Sequence, residues 1–112
     1  MSENIKLKKR LRKKFPNAMI SSKEIIGHPS IRDDDVGINI RFENDYGASI
    51  IRNKYSYGNE DKLLELGVIA YDGPDWELVY NTPVTDDVIG YATFPMVVEE
   101  LKKIEKFKKG EF

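Results

Sequence analysis

The residues in this sequence that could do chemistry are few. His28 is the only histidine, and there is no cysteine. A zinc site needs about three or four nitrogen or sulfur ligands, which one His cannot supply. A catalytic triad needs a nucleophile positioned beside its base, and nothing singles out a Ser for that role. His28-Pro29 reads as a turn. Without cysteine, disulfides, thiolate zinc sites, iron–sulfur clusters and cysteine nucleophiles are excluded. The expectation is a protein that is not an enzyme, with no catalytic residue, no metal and no cofactor.

Asp33-Asp34-Asp35 is the densest acidic run. A calcium loop wants alternating acids, Gly at its sixth position and Glu at its twelfth. Counted from Asp33, those positions hold Ile38 and Asn44, so the pattern fails. The run reads as a solvated loop, and its functional reading is a patch facing a protein partner. Asp86-Asp87 reads as a helix-cap pair, not a catalytic dyad. No glycines form a phosphate-binding or dinucleotide-binding motif. Tyr55, Tyr57, Tyr71, Trp76 and Tyr80 could stack bases from an exposed sheet face. Aromatics on strands more commonly serve as core or cross-strand pairs.

Charge is unevenly placed. Residues 1–14 carry seven Lys/Arg and one acid, and residues 102–112 carry five Lys and two Glu. The body between them holds six basic and sixteen acidic residues, a net of −10. The cluster Lys6 to Lys14, with Lys8, Lys9, Arg10, Arg12 and Lys13 at its centre, could neutralise several phosphates. The same residues make an ordinary solvent face for an amphipathic helix. That helix lacks the broad apolar face or Trp of a membrane-surface anchor. The N-terminus lacks the apolar stretch of a signal peptide, and apolar runs are far shorter than a membrane span. Cytoplasmic is the expected address.

These side chains must be positioned by a chain of 112 residues, about the size of one domain. Leu7, Leu11 and Phe15 recur every four residues, predicting a helix over 3–15, with Ser2 or Asn4 as its cap and Pro16 as its stop. Stretch 18–26 is an ambiguous strand. Val36, Ile38, Ile40 and Phe42 alternate with polar residues, predicting a strand over 36–43. Asn44 to Gly47 supplies a turn into strand 48–56, whose apolar phase slips at Ile50-Ile51. The slip predicts a bulge or a strand buried on both faces. Strands 63–71 and 76–80 follow, joined tightly through Asp72-Gly73-Pro74-Asp75. Thr85-Asp86-Asp87 resembles a helix start that Gly90 ends. Thr93-Phe94-Pro95 opens a longer helix over 94–107 with the stripe Phe94, Val97, Val98, Leu101, Ile104 and Phe107. The class is α+β. An antiparallel meander of four or five strands within 18–80 is flanked by the two helices as one domain, with 36–43 and 63–71 central and helix 94–107 on one face.

The segment Tyr46-Gly47-Ala48-Ser49-Ile50-Ile51-Arg52 through Tyr55-Ser56-Tyr57-Gly58, then Leu64-Glu65-Leu66-Gly67-Val68 and Thr82 to Tyr91, resembles small uncharacterised proteins of phages and prophages of Gram-positive bacteria. The resemblance covers residues 46–107. It implies a viral accessory role in a bacterial cytoplasm, such as counter-defence, and assigns no functional residue. The expected function is binding of a host protein by the acidic body through Asp33, Asp34 and Asp35. The alternative is nucleic-acid binding by the basic N-terminal helix and the C-terminal lysines. One joined basic stripe favours the second reading, and a broad acidic face the first.

Overall fold

The computed structural model describes residues 3–22, 36–52, 63–80, 82–85 and 88–111. The chain runs α1 (Glu3–Lys14), β1 (Met19–Ser22), β2 (Val36–Arg41), β3 (Tyr46–Arg52), β4 (Leu64–Asp72), β5 (Asp75–Leu78), β6 (Val88–Ala92) and α2 (Phe94–Glu105). Strands β1 to β5 form an antiparallel meander in chain order, and β6 returns to pair with β4. The fold is α+β, as expected, with six strands among the described residues where the sequence predicts four or five.

Registers explain the core. Ile38 lies opposite Ile50, and Ile50 opposite Leu66; Ile40, Ala48 and Val68 form the next row. These six residues are fully buried, as are Leu101 and Ile104 of α2. They belong to one cluster with Leu7, Leu11 and Phe15, so both helices cover the same face of the sheet. Ile69 is also fully buried but points to the second face, outside that cluster. The phase slip at Ile50-Ile51 produces no bulge, because the β2–β3 register is continuous; instead Tyr46 to Ile50 are buried on both faces.

The expected helical turn after Thr85 is a correction. Val88 to Ala92 is a strand. Thr82, not Thr85, organises the preceding turn: its hydroxyl accepts from the Val84 and Thr85 amides at 3.2 and 3.3 Å. Gly90 does not end a helix. It lies with Tyr91 in a bulge, because Leu64 pairs with Ala92 while Leu66 pairs with Ile89. Two residues of β6 thus oppose one of β4, and Tyr91 takes φ 54°.

Asn4 is likewise not a cap. It lies within α1, buried, where its side chain accepts from the Gly37 amide at 2.9 Å and donates to Ser22 Oγ at 3.1 Å. It therefore pins α1 to β1 and β2. The opening of α2 is as expected: Thr93 caps it, accepting from the Met96 amide at 3.4 Å.

The β2–β3 connection is a three-residue loop. Phe42 N–H donates to Tyr46 O at 2.8 Å, Asp45 N–H to Phe42 O at 3.1 Å, and Asp45 takes φ 67°. A type I turn followed by a left-handed residue is the common build for this loop length. Asn44 in that turn donates to the carbonyls of Ile104, Glu105 and Phe107 at 2.9, 3.3 and 2.9 Å, and accepts from Tyr46 N–H at 2.9 Å. It supplies a side-chain donor to carbonyls at the end of α2, of which Ile104 O also accepts from Phe107 N–H at 3.0 Å. Asn44→Ala is expected to cost about 1–3 kcal/mol, the range for leaving buried groups unpaired. Asn44→Asp is expected to cost more, because it sets a carboxylate against the negative end of a helix. Paired urea titrations of the two variants check the order.

Candidate docking surfaces

The two helices run the same way along the sheet. α1 starts with Asn4 on β2's first residues and ends with Phe15 edge-on to Phe42, ring centroids 5.5 Å apart. α2 starts directly after Ala92, which pairs with the first residue of β4, and ends at Asn44. Both helix C-termini therefore meet at the β2–β3 turn. This gathers Arg12, Lys13 and Lys14 at the same end as Lys106, Lys108 and Lys109.

Not all of the basic residues singled out by sequence are free to act. Lys8 is half-buried and donates to Ser22 Oγ at 2.8 Å. Arg10 lies over the Phe94 ring, 3.7 Å from its centroid, and ties α1 to α2. Lys9, Arg12 and Lys13 are exposed. Lys102 and Lys103 pair with Glu99 and Glu100 at 3.3 and 3.1 Å. A cleft of about 250 Å³ opens between α1 and the start of α2. Its Arg52 guanidinium is largely covered and lies 3.8 Å from the Glu3 carboxylate, so this cation is already matched.

Asp45 joins three elements at the turn. Its carboxylate meets Arg41 at 2.8 Å and Lys109 at 3.1 Å, while its carbonyl accepts from Tyr71 N–H at 2.8 Å. Arg41 also donates to Gly73 O at 2.8 Å and lies 4.5 Å over the Tyr71 ring. Hydrogen bonds from Arg41 and then Lys109 hold the Asp45 carboxyl below its ordinary value of 3.8. The folded chain thus binds this proton more weakly than the unfolded chain. The stabilisation is complete above the ordinary value and is lost as pH falls through the lowered one. Thermal melts across about pH 2–6 should show the wild type losing more stability on acidification than Asp45→Asn. Burial pushes the Tyr71 phenol up, against the opposing Arg41 guanidinium.

The far edge of the sheet is different in character. All four residues of β5 are exposed. Trp76 and Leu78 are 38% and 39% exposed, and Tyr80 just beyond is 51% exposed. Trp76 pairs directly with Tyr71 across the strands, so the aromatics do form a cross-strand pair. Leu78 leans over Gly67, where a Cβ would come within 2.7 Å of its Cδ2. Asp72, Asp75 and Glu77 accompany them, and residues 70–80 contain no Lys or Arg. A shallow cleft of about 290 Å³ is lined by Ala70, Tyr71, Asp72, Asp75, Trp76 and Glu77. The sequence favours core or cross-strand roles for these aromatics over an exposed stacking face, because Trp76, Leu78 and Tyr80 alternate like a core-facing strand. What exposes them is strand order.

Asp33, Asp34 and Asp35, which the sequence reads as partner-facing, lie outside the described residues, as do His28, Tyr55, Tyr57, Asp86 and Asp87. Among the described residues, no group of three or more His, Asp or Glu side chains could hold a metal ion. No helix among them is long and apolar enough to cross a membrane. The fold is a small α+β structure with the acidic, aromatic strand β5 at one end of the strand order and the basic helix α1 over β1 and β2 at the other. Compared with known protein families, curated proteins and solved structures, the chain has no match.

Proposed function

We propose that this is a non-catalytic accessory protein of phage or prophage origin that acts in the bacterial cytoplasm by binding a host protein, with counter-defence as its setting. The observation that carries the binding reading is β5, an exposed edge strand that alternates acids with Trp76 and Leu78. Contiguous exposed apolar side chains beside one sign of charge are a common mark of a protein interface. The acids select a partner with a basic surface, and complementary fields speed the encounter. The phage setting rests on the resemblance of residues 46–107. A pull-down from a Gram-positive host tests the reading, with wild type compared against the double variant Asp75→Asn, Glu77→Gln. Basic proteins should be retained by the wild type and lost from the variant. Equal retention by both would remove the edge from consideration.

The gathering of Arg12, Lys13 and Lys14 with Lys106, Lys108 and Lys109 at one end supports nucleic-acid binding as a second reading. Lys8, Arg10 and Lys109 are already engaged within the fold, and the acidic body opposes a polyanion. Duplex DNA binding is therefore expected to be weak and to fall steeply with salt, since such attraction is screened over about 8 Å at physiological ionic strength. Fluorescence anisotropy checks this. Tight binding that survives physiological salt, and that is lost on replacing Lys9, Arg12 and Lys13 by Gln, would put nucleic acid first.

A further inference from the structure

The cleft between α1 and the start of α2 holds more positive charge than the fold uses. Its lining includes two guanidiniums, Arg10 and Arg52, and among the described lining residues Glu3 is the only acid. The first turn of α2 adds none. Glu3 answers Arg52 at 3.8 Å, longer than a hydrogen bond, from a side chain that is 46% exposed at the first residue of α1. Arg52 also has a further interaction within the fold. A guanidinium offers five N–H donors, so it can serve several acceptors at once.

Arg10 is the cation left over. It is exposed, and its guanidinium sits 3.7 Å over the Phe94 ring. A cation over a ring face spends none of its N–H donors on an acceptor. Among the described residues Arg10 has neither a hydrogen bond nor an ion pair. Phe94 thus holds a planar fork of donors at the cleft without supplying the anion that such a fork matches.

The remaining lining is mostly apolar, with Leu7, Leu64 and Ala92 among it. An apolar cavity of about 150 Å³ holds benzene, so the cleft, at about 250 Å³, has room for a ring-sized body and a headgroup. Apolar walls with a few convergent polar groups are the usual form of a small-molecule site. We propose that this cleft binds a small organic phosphate monoester. Its phosphate meets Arg10 and takes the place of the Glu3 carboxylate at Arg52, while its apolar body lies against Leu7, Leu64 and Ala92. With Glu3 turned out to water, two guanidiniums face a group of nearly two negative charges at neutral pH. A carboxylate brings one charge and matches the pair less well. The site is independent of β5 and of what docks there.

The probe is phenyl phosphate, titrated into the full chain while the amide resonances of Leu64, Ala92 and Phe94 are followed by NMR. These amides should shift and saturate together. Glu3→Gln removes the competing carboxylate and should tighten binding about two- to fivefold, the weight of an exposed ion pair. Arg10→Gln should weaken it at least about tenfold, the weight of a hydrogen bond to a charged group. Lys13→Gln, exposed at the other end of α1, should bind as the wild type does. Inorganic phosphate and benzoate, each lacking one half of the ligand, should both bind more weakly than phenyl phosphate. Unmoved cleft amides, or an affinity that Glu3→Gln and Arg10→Gln leave unchanged, would overturn the site. Equal weakening by Lys13→Gln and Arg10→Gln would also overturn it, in favour of diffuse attraction to the basic helix. Equal affinity for benzoate or for inorganic phosphate would overturn the assignment to an organic phosphate.

Discussion

Gly47→Ala is expected to be the most damaging single-methyl change in the protein. Gly47 is the second residue of β3 and lies opposite Arg41, one residue beyond the pair Phe42–Tyr46 that closes the loop. A Cβ built there falls on the carbonyl oxygen of Ile40, and lies 2.8 Å from that carbonyl carbon and 3.1 Å from Arg41 Cα. All three atoms are backbone, so no side chain can swing aside. Overpacking normally costs about 1–3 kcal/mol through side-chain shifts. Here β2 and β3 must separate at the centre of the sheet, and the cost should reach or exceed about 3 kcal/mol. A domain with about 5–15 kcal/mol of total stability loses a large fraction of it. Urea denaturation should show a much lower midpoint, or a chain unfolded without denaturant. A midpoint unchanged from wild type would mean that the strands cross less closely than described.

Leu101→Ala is the second large effect. Leu101 is fully buried on the face of α2 that meets β3 and β4, among Ile50, Leu66 and Val68 in the same cluster. Truncation removes favourable burial and leaves a cavity that the surrounding sheet cannot collapse to fill, at about 2–5 kcal/mol. The change should lower the urea midpoint without altering the slope, because the surface exposed on unfolding barely changes. Lys102→Ala, one residue away but exposed, serves as the control and should fall within about 0.5 kcal/mol of wild type.

What could be read from sequence was whatever depends on near neighbours. The alternation Val36, Ile38, Ile40 and the stripe Val97, Val98, Leu101, Ile104 each describe one face of one element, and both are buried as expected. What escaped depends on distant partners. Asn44 reads as a turn residue, and nothing local reveals that it also completes a helix some sixty positions later. Arg10 and Lys8 read as free cations because Phe94 and Ser22 come beside them only in the folded chain. β6 was hidden by a plausible helix-start signal at Thr85, although Val88, Ile89 and Tyr91 favour strand. The candidate site at β5 was missed for the same reason, since its alternation matches a buried strand and only the order of strands places it at the rim.

The pairing of β4 carries a consequence for motion. One side of β4 lies along β3, while the other is divided, its first half joined to β6 and its second half to β5. Among the described strands β5 pairs with β4 alone, so its ladder can open with the β4–β6 and β4–β3 ladders left in place. Regions with few buried contacts open far more readily than the whole molecule. In hydrogen exchange the amides of Glu77 and Val79 should become labile through this local opening, long before the β4 amides bonded to β3. The rim of the sheet would then sample conformations while its centre stays fixed.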